Sequence, residues 1–95
     1  MSSYNIDVKN CEQQNYIFSP AASKKYNIQT VGNLDTVLVV TEKSGDKQKY
    51  VAGDDNSGTD NNALVSVSLQ KGKTYLIKVK VYYKKKNEKA ALMIS

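Results

Sequence analysis

The sequence has 95 residues and a net charge of +5, with 14 Lys, no Arg and no His. A chain of this length forms one domain, since domains usually hold roughly 100 to 150 residues, and we assign residues 1–95 to it. Without His, neither a Ser-His-Asp nor a Cys-His arrangement can form, and the commonest metal ligand is missing. The composition therefore argues against an enzyme.

The single cysteine, the apolar runs and the N-terminus bear on the cellular location of the protein. Cys11 has no second cysteine to pair with, and without a nearby base we expect it to be structural. No apolar run approaches the roughly 18 residues of a membrane-spanning helix, so no membrane partner is expected. The start, Met1-Ser2-Ser3-Tyr4, has no signal-peptide pattern. The chain is expected to be intracellular or a module of a longer exported protein.

Alternation of apolar and polar residues, without helical periodicity, predicts strands along the whole chain. Residues 1–5 are expected to be a frayed end. The first half of the chain then predicts short strands at residues 6–8, 16–19 and 25–31, a dense central strand at 36–41 covered on both faces, and a weaker strand at 48–52.

The second half of the chain predicts clearly alternating strands at 63–69 and 74–83 and a weaker strand at 90–94. In the segment 74–83, the predicted core face carries Tyr75, Ile77, Val79, Val81 and Tyr83, and the solvent face carries Leu76, Lys78, Lys80 and Tyr82. Around eight short strands separated by Gly, Asn, Asp and Pro turns predict an all-β sandwich or barrel.

Four short motifs follow one another between residues 32 and 79. They are Gly-Asn-Leu-Asp-Thr-Val-Leu at 32–38, Gly-Asp-Asp-Asn-Ser-Gly at 53–58, Asn-Ala at 62–63, and Leu-Gln-Lys-Gly-Lys-Thr-Tyr-Leu-Ile-Lys-Val at 69–79. In this order, over about half of the chain, they resemble the bacterial pre-peptidase C-terminal domain, a small β-sandwich appended to secreted hydrolases.

The resemblance implies a jelly-roll-like antiparallel β-sandwich of about eight strands. Its inner faces are expected to hold Val37, Val39, Val65, Val67, Ile77, Val79 and Val81. The implied function is that of a non-catalytic accessory module of a secreted bacterial hydrolase, which binds an extracellular polymer or assists folding and export. The implied partners are a collagen-like protein or polysaccharide and the parent's catalytic domain, and the implied location is secreted or at the cell surface. A stand-alone interaction or inhibitor domain is the alternative.

Residues 54–62 hold the densest group of acidic and amide side chains. Asp54, Asp55, Asn56 and Asp60 offer the hard oxygen ligands that Ca²⁺ prefers, and some relatives of the resembled family bind calcium near their edges. The same composition is typical of a turn in which Asx side chains bond neighbouring backbone amides. Calcium as a cofactor and an ordinary turn therefore both stay open.

Lysines cluster late in the sequence, at Lys78, Lys80, Lys84, Lys85, Lys86 and Lys89. With Tyr82 and Tyr83 among them, they would suit a groove for single-stranded nucleic acid. A solvated hairpin with edge-strand lysines that block aggregation explains them as well. Because Lys lacks the planar fork of Arg, base-specific recognition is not expected, and a single-stranded nucleic-acid binder is kept only as a lesser alternative.

The predicted contact surface for a polymer consists of Tyr50, Tyr82, Lys78 and Lys80. Tyr gives rigid area with a polar tip, which suits an adhesive surface. The collagen-binding β-sandwiches of clostridial collagenases, which are similar to the resembled family, hold their polymer with surface aromatics. The resemblance therefore implies adhesion through these side chains, without a motif that assigns them individually.

Overall fold

The computed structural model describes residues 2–6, 12–32, 34–55, 63–84 and 90–95. These residues form eight strands in two antiparallel sheets and no helix. The strands are β1 (Ser2–Asn5), β2 (Gln13–Phe18), β3 (Lys24–Val31), β4 (Leu34–Ser44), β5 (Lys47–Asp55), β6 (Leu64–Leu69), β7 (Thr74–Lys84) and β8 (Ala91–Ile94). The predicted all-β sandwich of about eight strands is confirmed.

The two sheets have the strand order of a jelly roll. One sheet, named here the β1 sheet, has the order β1-β8-β3-β6, and the other, the β2 sheet, has the order β2-β7-β4-β5. Only β4 and β5 follow each other within one sheet, through a two-residue turn in which Gly45 has a φ of 60°. Gly accepts this left-handed conformation without strain. Every other connection carries the chain from one sheet to the other.

The core lies between the sheets and is built from alternate residues of each strand. Its fully buried large side chains include Ile28, Leu38, Val40, Ile77, Val79, Val81 and Leu92. Of the predicted inner residues, Ile77, Val79 and Val81 are fully buried and Val65 is nearly so, so those four predictions are confirmed. Val67 is only partly buried and packs against the edge of this core.

The predictions for Val37 and Val39 were wrong. Both side chains are half-buried on the opposite face of β4, and Leu38 and Val40 enter the core instead. An unbroken apolar run does not define which alternate residues point inward. The predicted second cover over β4 is also wrong, because β4 is central within its sheet but no further layer of described residues lies on its outer side.

The N-terminal strand was also misplaced by the sequence. Residues 2–5 form β1 rather than a frayed end, because they pair with β8 from Ser2 opposite Ile94 to Asn5 opposite Ala91. Ile6 follows the strand, and its N–H donates to the Ala90 carbonyl at 3.0 Å. The pairing therefore extends the sheet at a position where the sequence alone showed no clear alternation.

Two buried threonines join the sheets through their hydroxyl groups. Thr30 of β3 and Thr36 of β4 are both buried, with their Oγ1 atoms 2.8 Å apart. The Ala63 N–H donates to the Thr30 Oγ1 at 2.9 Å. A buried hydroxyl is costly without a partner, so this contact favours the inward position of Thr36. The inward positions of Leu38 and Val40 then follow from alternation along β4.

Candidate functional site

The outward-facing side of the β2 sheet, named here the outer face, carries the exposed apolar side chains. Among the described residues, the large hydrophobic side chains with high exposure are Ile17 at 62%, Tyr50 at 66% and Tyr82 at 46%. Alternation along β2 and β7, and the pairing of Tyr50 with Thr41 of β4, place all three on the outer face. The three side chains therefore share one face of the sheet, at separate positions on it.

The strand register arranges the outer face in rows across the four strands. One row runs Ile17, Leu76, Thr41 and Tyr50 from β2 through β7 and β4 to β5. The next row runs Asn15, Lys78, Val39 and Gly53, and a third runs Gln13, Lys80, Val37 and Asp55. The first row is therefore mostly apolar, and in each of the other two rows a lysine lies beside a valine.

Gly53 leaves room for the side chain of Tyr50 to lie along the sheet. A Cβ atom at Gly53 would stand 3.1 Å from the Tyr50 hydroxyl oxygen and 3.6 Å from its Cε2. The same Cβ would meet the Leu38 carbonyl oxygen at 3.1 Å. Because Gly53 has no side chain, the Tyr50 ring can approach the backbone of β5 closely while it stays highly exposed.

Lys80 and Tyr82 form a pair two residues apart on the same side of β7. The Lys80 Nζ lies 5.2 Å from the centroid of the Tyr82 ring, within the range of a cation–π contact. Lys78 lies one step further along β7, between Asn15 and Val39. The face therefore offers two positive charges together with aromatic and aliphatic area.

The outer side of the β1 sheet differs in character. There Ser66 donates a hydrogen bond from its hydroxyl to the Asn27 Oδ1 at 2.6 Å, and Lys25 pairs across the strands with Ser68. These four residues are exposed, and none of them has a large apolar side chain. The β2 sheet is therefore the stronger candidate for ligand contact.

The structure brings the four predicted contact residues onto one face. Lys78 and Lys80 lie in neighbouring rows, Tyr50 lies on β5 and Tyr82 lies toward the end of β7. Tyr50 and Tyr82 are separated by roughly 20 Å along the strands, at about 3.4 Å per residue. No ligand contact is tested by this placement, so their role stays a prediction.

Sequence reasoning missed two contributors to this face. Ile17 was treated only as part of a short strand, although it stands between the inward-facing Tyr16 and Phe18. The sequence pattern includes Gly53 only as the first residue of the motif at 53–58. Alternation around Ile17 was a usable signal, whereas the closeness of Gly53 to Tyr50 depends on the bulge between β4 and β5 and is not visible in the sequence.

The predicted metal ligands fall largely outside the described residues. Asp54 and Asp55 end β5, whereas Asn56 and Asp60 lie in the segment 56–62, which the structure does not describe. Within the described ranges, no group of three His, Cys, Asp or Glu residues could hold a metal ion. Calcium binding stays a prediction.

Other predicted features also lie outside the described ranges. These are Cys11 and the lysines Lys85, Lys86 and Lys89. In the part of the chain that is described, no helix is long and apolar enough to cross a membrane.

Comparison with known proteins finds similarity among solved structures. No protein-family model matches the sequence, and no curated protein matches it. Among solved structures, the chain is similar to the pre-peptidase C-terminal domain of a collagenase from Bacillus anthracis, with a TM-score of 0.68. The match covers 99% of this chain and 86% of that one, at 18% identity. This chain has the pre-peptidase C-terminal fold.

At this low identity the match concerns the fold. The pre-peptidase C-terminal architecture that the motifs between residues 32 and 79 implied is confirmed over nearly the whole chain, including the strands outside those motifs. What the domain binds is a separate matter, since one fold serves many functions and binding depends on the side chains of each surface.

Proposed function

We propose that this chain is a non-catalytic accessory module of a secreted bacterial hydrolase and that it binds an extracellular polymer through the outer face. The observation that carries the proposal is the gathering of Ile17, Tyr50 and Tyr82 on one exposed sheet face with Lys78 and Lys80. The similarity to a domain of a collagenase supports a collagen-like protein as the first polymer to test. A polysaccharide is the other candidate.

The proposed mechanism is adhesion over an extended strip. Two tyrosines separated by roughly 20 Å along the strands can contact a polymer at well-spaced points, and the aliphatic residues between them bury further area. Tyr rings contribute large rigid contact surfaces at low entropic cost. Modest affinity is sufficient for such a module, because tethering to the catalytic domain raises the effective concentration of the enzyme at its substrate.

Co-sedimentation with insoluble collagen fibres, and in parallel with chitin and peptidoglycan, tests the proposal. We expect Tyr50→Ala and Tyr82→Ala each to weaken binding about tenfold, which corresponds to about 1.4 kcal/mol. Tyr50→Phe, which keeps the ring, should retain most of the binding.

Lys78→Ala should also weaken binding. Its matched control is Lys25→Ala, since Lys25 is exposed on the outer side of the β1 sheet. The Lys25 variant should bind as the unchanged protein does. Binding to none of the three polymers, or equal losses from Lys25→Ala and Lys78→Ala, would contradict a role of the outer face. A function in folding or export of the parent hydrolase would then become the better explanation.

Single-stranded nucleic acid is a second candidate ligand, favoured by one observation. Lys78 and Lys80 share the outer face with Tyr50 and Tyr82, and lysines beside aromatic rings are the elements of a base-stacking platform. Binding to a phosphate backbone weakens steeply as salt rises, because counterions are released. A polymer held mainly by tyrosine area should lose little affinity between 50 and about 200 mM salt, which separates the two ligands.

Calcium is proposed as a cofactor of residues 54–62, named here the acidic segment. The support is the chemistry of Asp54, Asp55, Asn56 and Asp60, which carry oxygen ligands of the kind that Ca²⁺ prefers. A bound cation would supply a structural link within the connection from β5 to β6 and would stabilise the folded domain. The proposal concerns stability and does not require the ion to touch the polymer.

A further inference from the structure

β2 lies at one edge of the β2 sheet and pairs only with β7 among the described strands. The Glu12 carbonyl accepts the Val81 N–H at 2.9 Å. Because antiparallel pairs alternate between hydrogen-bonded and non-hydrogen-bonded positions, the even-numbered residues of β2 bond to β7. The backbone N–H and C=O groups of Gln13, Asn15 and Ile17 therefore point away from the sheet, toward the open edge.

β2 differs from the other edge strand of its sheet. Edge strands are usually protected against pairing by lysines, prolines, bulges or short length. β5 carries Lys47 and Lys49 and has a register shift against β4. β2 has six residues in regular register, with no charged residue and no proline among them. It also presents the exposed side chain of Ile17.

The edges of the β1 sheet are less open than β2. β1 has only four residues. β6 runs alongside β5 of the opposite sheet, with Cα atoms of the two strands within 8 Å, and the exposed side chains that it offers are those of Ser66 and Ser68. Of the described edges, β2 is therefore the one that combines length, regular register, neutrality and an exposed apolar side chain.

We propose that β2 is a self-association edge, where a second copy of this chain adds its own β2 in antiparallel orientation about a two-fold axis at Asn15. In this register Asn15 faces Asn15 of the second copy, and Gln13 faces Ile17. The backbone groups of Gln13, Asn15 and Ile17 that point to the open edge then exchange hydrogen bonds with the second copy. The contact is isologous, as in most homodimers.

Charge argues for a second copy at this edge. The molecule carries a net charge of +5, so most encounters between two copies bring lysines together. The six residues of β2 are neutral, and the described lysines that pair across from them, Lys78 and Lys80, lie on β7. The two β7 strands would be three strand spacings apart, roughly 14 Å, which is beyond the Debye length of about 8 Å at physiological salt.

Self-association would join two outer faces into one surface. Two β2 sheets would form a continuous sheet of eight strands, counted from four in each copy, with a Tyr50 and a Tyr82 in each half. A repetitive polymer could then contact both copies at once, which raises avidity without any new contact. The inference itself concerns only the oligomeric state, so its failure would leave the proposed polymer binding untouched.

Sedimentation equilibrium of the complete chain tests the inference. Two short strands bury less than the roughly 1,200 Å² of a standard interface, so the dimer should be weak. We expect the apparent mass to rise from 10.5 kDa at low concentration toward twice that value as the protein approaches about 1 mM, a concentration range that suits weak association.

Asn15→Pro removes an outward-facing N–H without removing a bond to β7, and it should keep the protein monomeric throughout. Ser68→Pro is the matched control. The Thr30 N–H donates to the Ala63 carbonyl, so the same alternation directs the Ser68 N–H away from β3. This variant should dimerise as the unchanged protein does.

If a proline variant fails to fold, Ile17→Lys repeats the comparison, with Ser68→Lys as its control. A lysine on an edge strand opposes pairing with another strand, and at residue 17 it leaves the backbone hydrogen bonds to β7 intact. A protein that stays monomeric near about 1 mM would overturn the inference. So would a dimer that Asn15→Pro or Ile17→Lys leaves unchanged.

Discussion

The hydroxyl groups of Thr30 and Thr36 lie 2.8 Å apart in the core. We expect Thr36→Val, which keeps the shape and removes the hydroxyl, to lower the free energy of unfolding by about 1 kcal/mol, the usual net value of a hydrogen bond. Urea denaturation measures this change. Thr41→Val is the control, because the Thr41 Oγ1 is 3.3 Å from the Gln48 Oε1 in a partly buried, longer contact. Equal losses in the two variants would contradict a special role of the buried pair.

Tyr16 makes the stability of the fold dependent on alkaline pH. Burial raises the pKa of its phenol from the ordinary value of 10.0, and the hydroxyl donates to the Asn5 carbonyl at 2.9 Å. Above pH 10 the unfolded chain releases this proton more readily than the folded one, so stability falls as pH rises. Lys73 acts in the same direction, since its hydrogen bond to the Glu42 carboxylate raises its pKa from 10.5.

Tyr16→Phe should therefore lose stability near neutral pH, by about 1 kcal/mol for the missing hydrogen bond. The same variant should show a shallower decline in stability than the unchanged protein as pH rises beyond 10. Urea unfolding at a series of pH values between 7 and about 11 measures both effects. Parallel declines for the two proteins would exclude Tyr16 as a source of the alkaline sensitivity.

The strands β4 and β7 form the centre of the β2 sheet. The sequence predicted the inward-facing residues of β7 correctly and those of β4 wrongly. In β7 lysines alternate with apolar residues, so the inward set of Ile77, Val79 and Val81 was predicted correctly. In β4 four apolar residues follow one another from Val37 to Val40, and pattern alone gave the wrong phase. The hydrogen bond of the buried Thr36 hydroxyl to Thr30 of β3, rather than hydropathy, distinguishes the two faces of β4.

Neighbouring valines of β4 test this assignment directly. Val40 is fully buried, whereas Val39 is half-buried on the outer face. Val40→Ala should lower the free energy of unfolding by about 2 kcal/mol, as expected for a buried valine side chain. Val39→Ala makes the same chemical change one residue away and should cost less than half as much. A larger loss from Val39→Ala in urea denaturation would reverse the assigned faces of the strand.

At the scale of the whole molecule, all but one of the connections pass between the sheets. Strands that are far apart in sequence therefore become neighbours, as β1 and β8 do. The connection from β5 to β6 is the acidic segment, and a cation bound there would act on the stability of the whole domain. A ligand that binds only the folded state raises Tm by mass action.

Calcium at about 100 times its Kd should stabilise the domain by about 2.7 kcal/mol, which is a rise in Tm of roughly 10 °C or more for a domain of this size. A thermal melt in EDTA and then in millimolar Ca²⁺ measures the shift, with Mg²⁺ as the control for ionic strength. Asp54→Ala and Asp60→Ala should abolish the rise. Asp46→Ala, in the turn between β4 and β5, should not. Equal melting temperatures in EDTA and Ca²⁺ would leave the segment as an Asx-rich turn.

The strands β2 to β8, the lysines Lys78 and Lys80 on the solvent side of β7, and the architecture implied by the motifs between residues 32 and 79 were all predicted from the sequence. These features rest on local alternation and turn chemistry, which are written in neighbouring residues. Four features were visible only in the folded chain: the inward face of β4, the pairing of residues 2–5 with β8, the open edge of β2, and the shared surface of Ile17 and Tyr50. Each of these depends on contacts between strands distant in the chain, where no local pattern selects the partner.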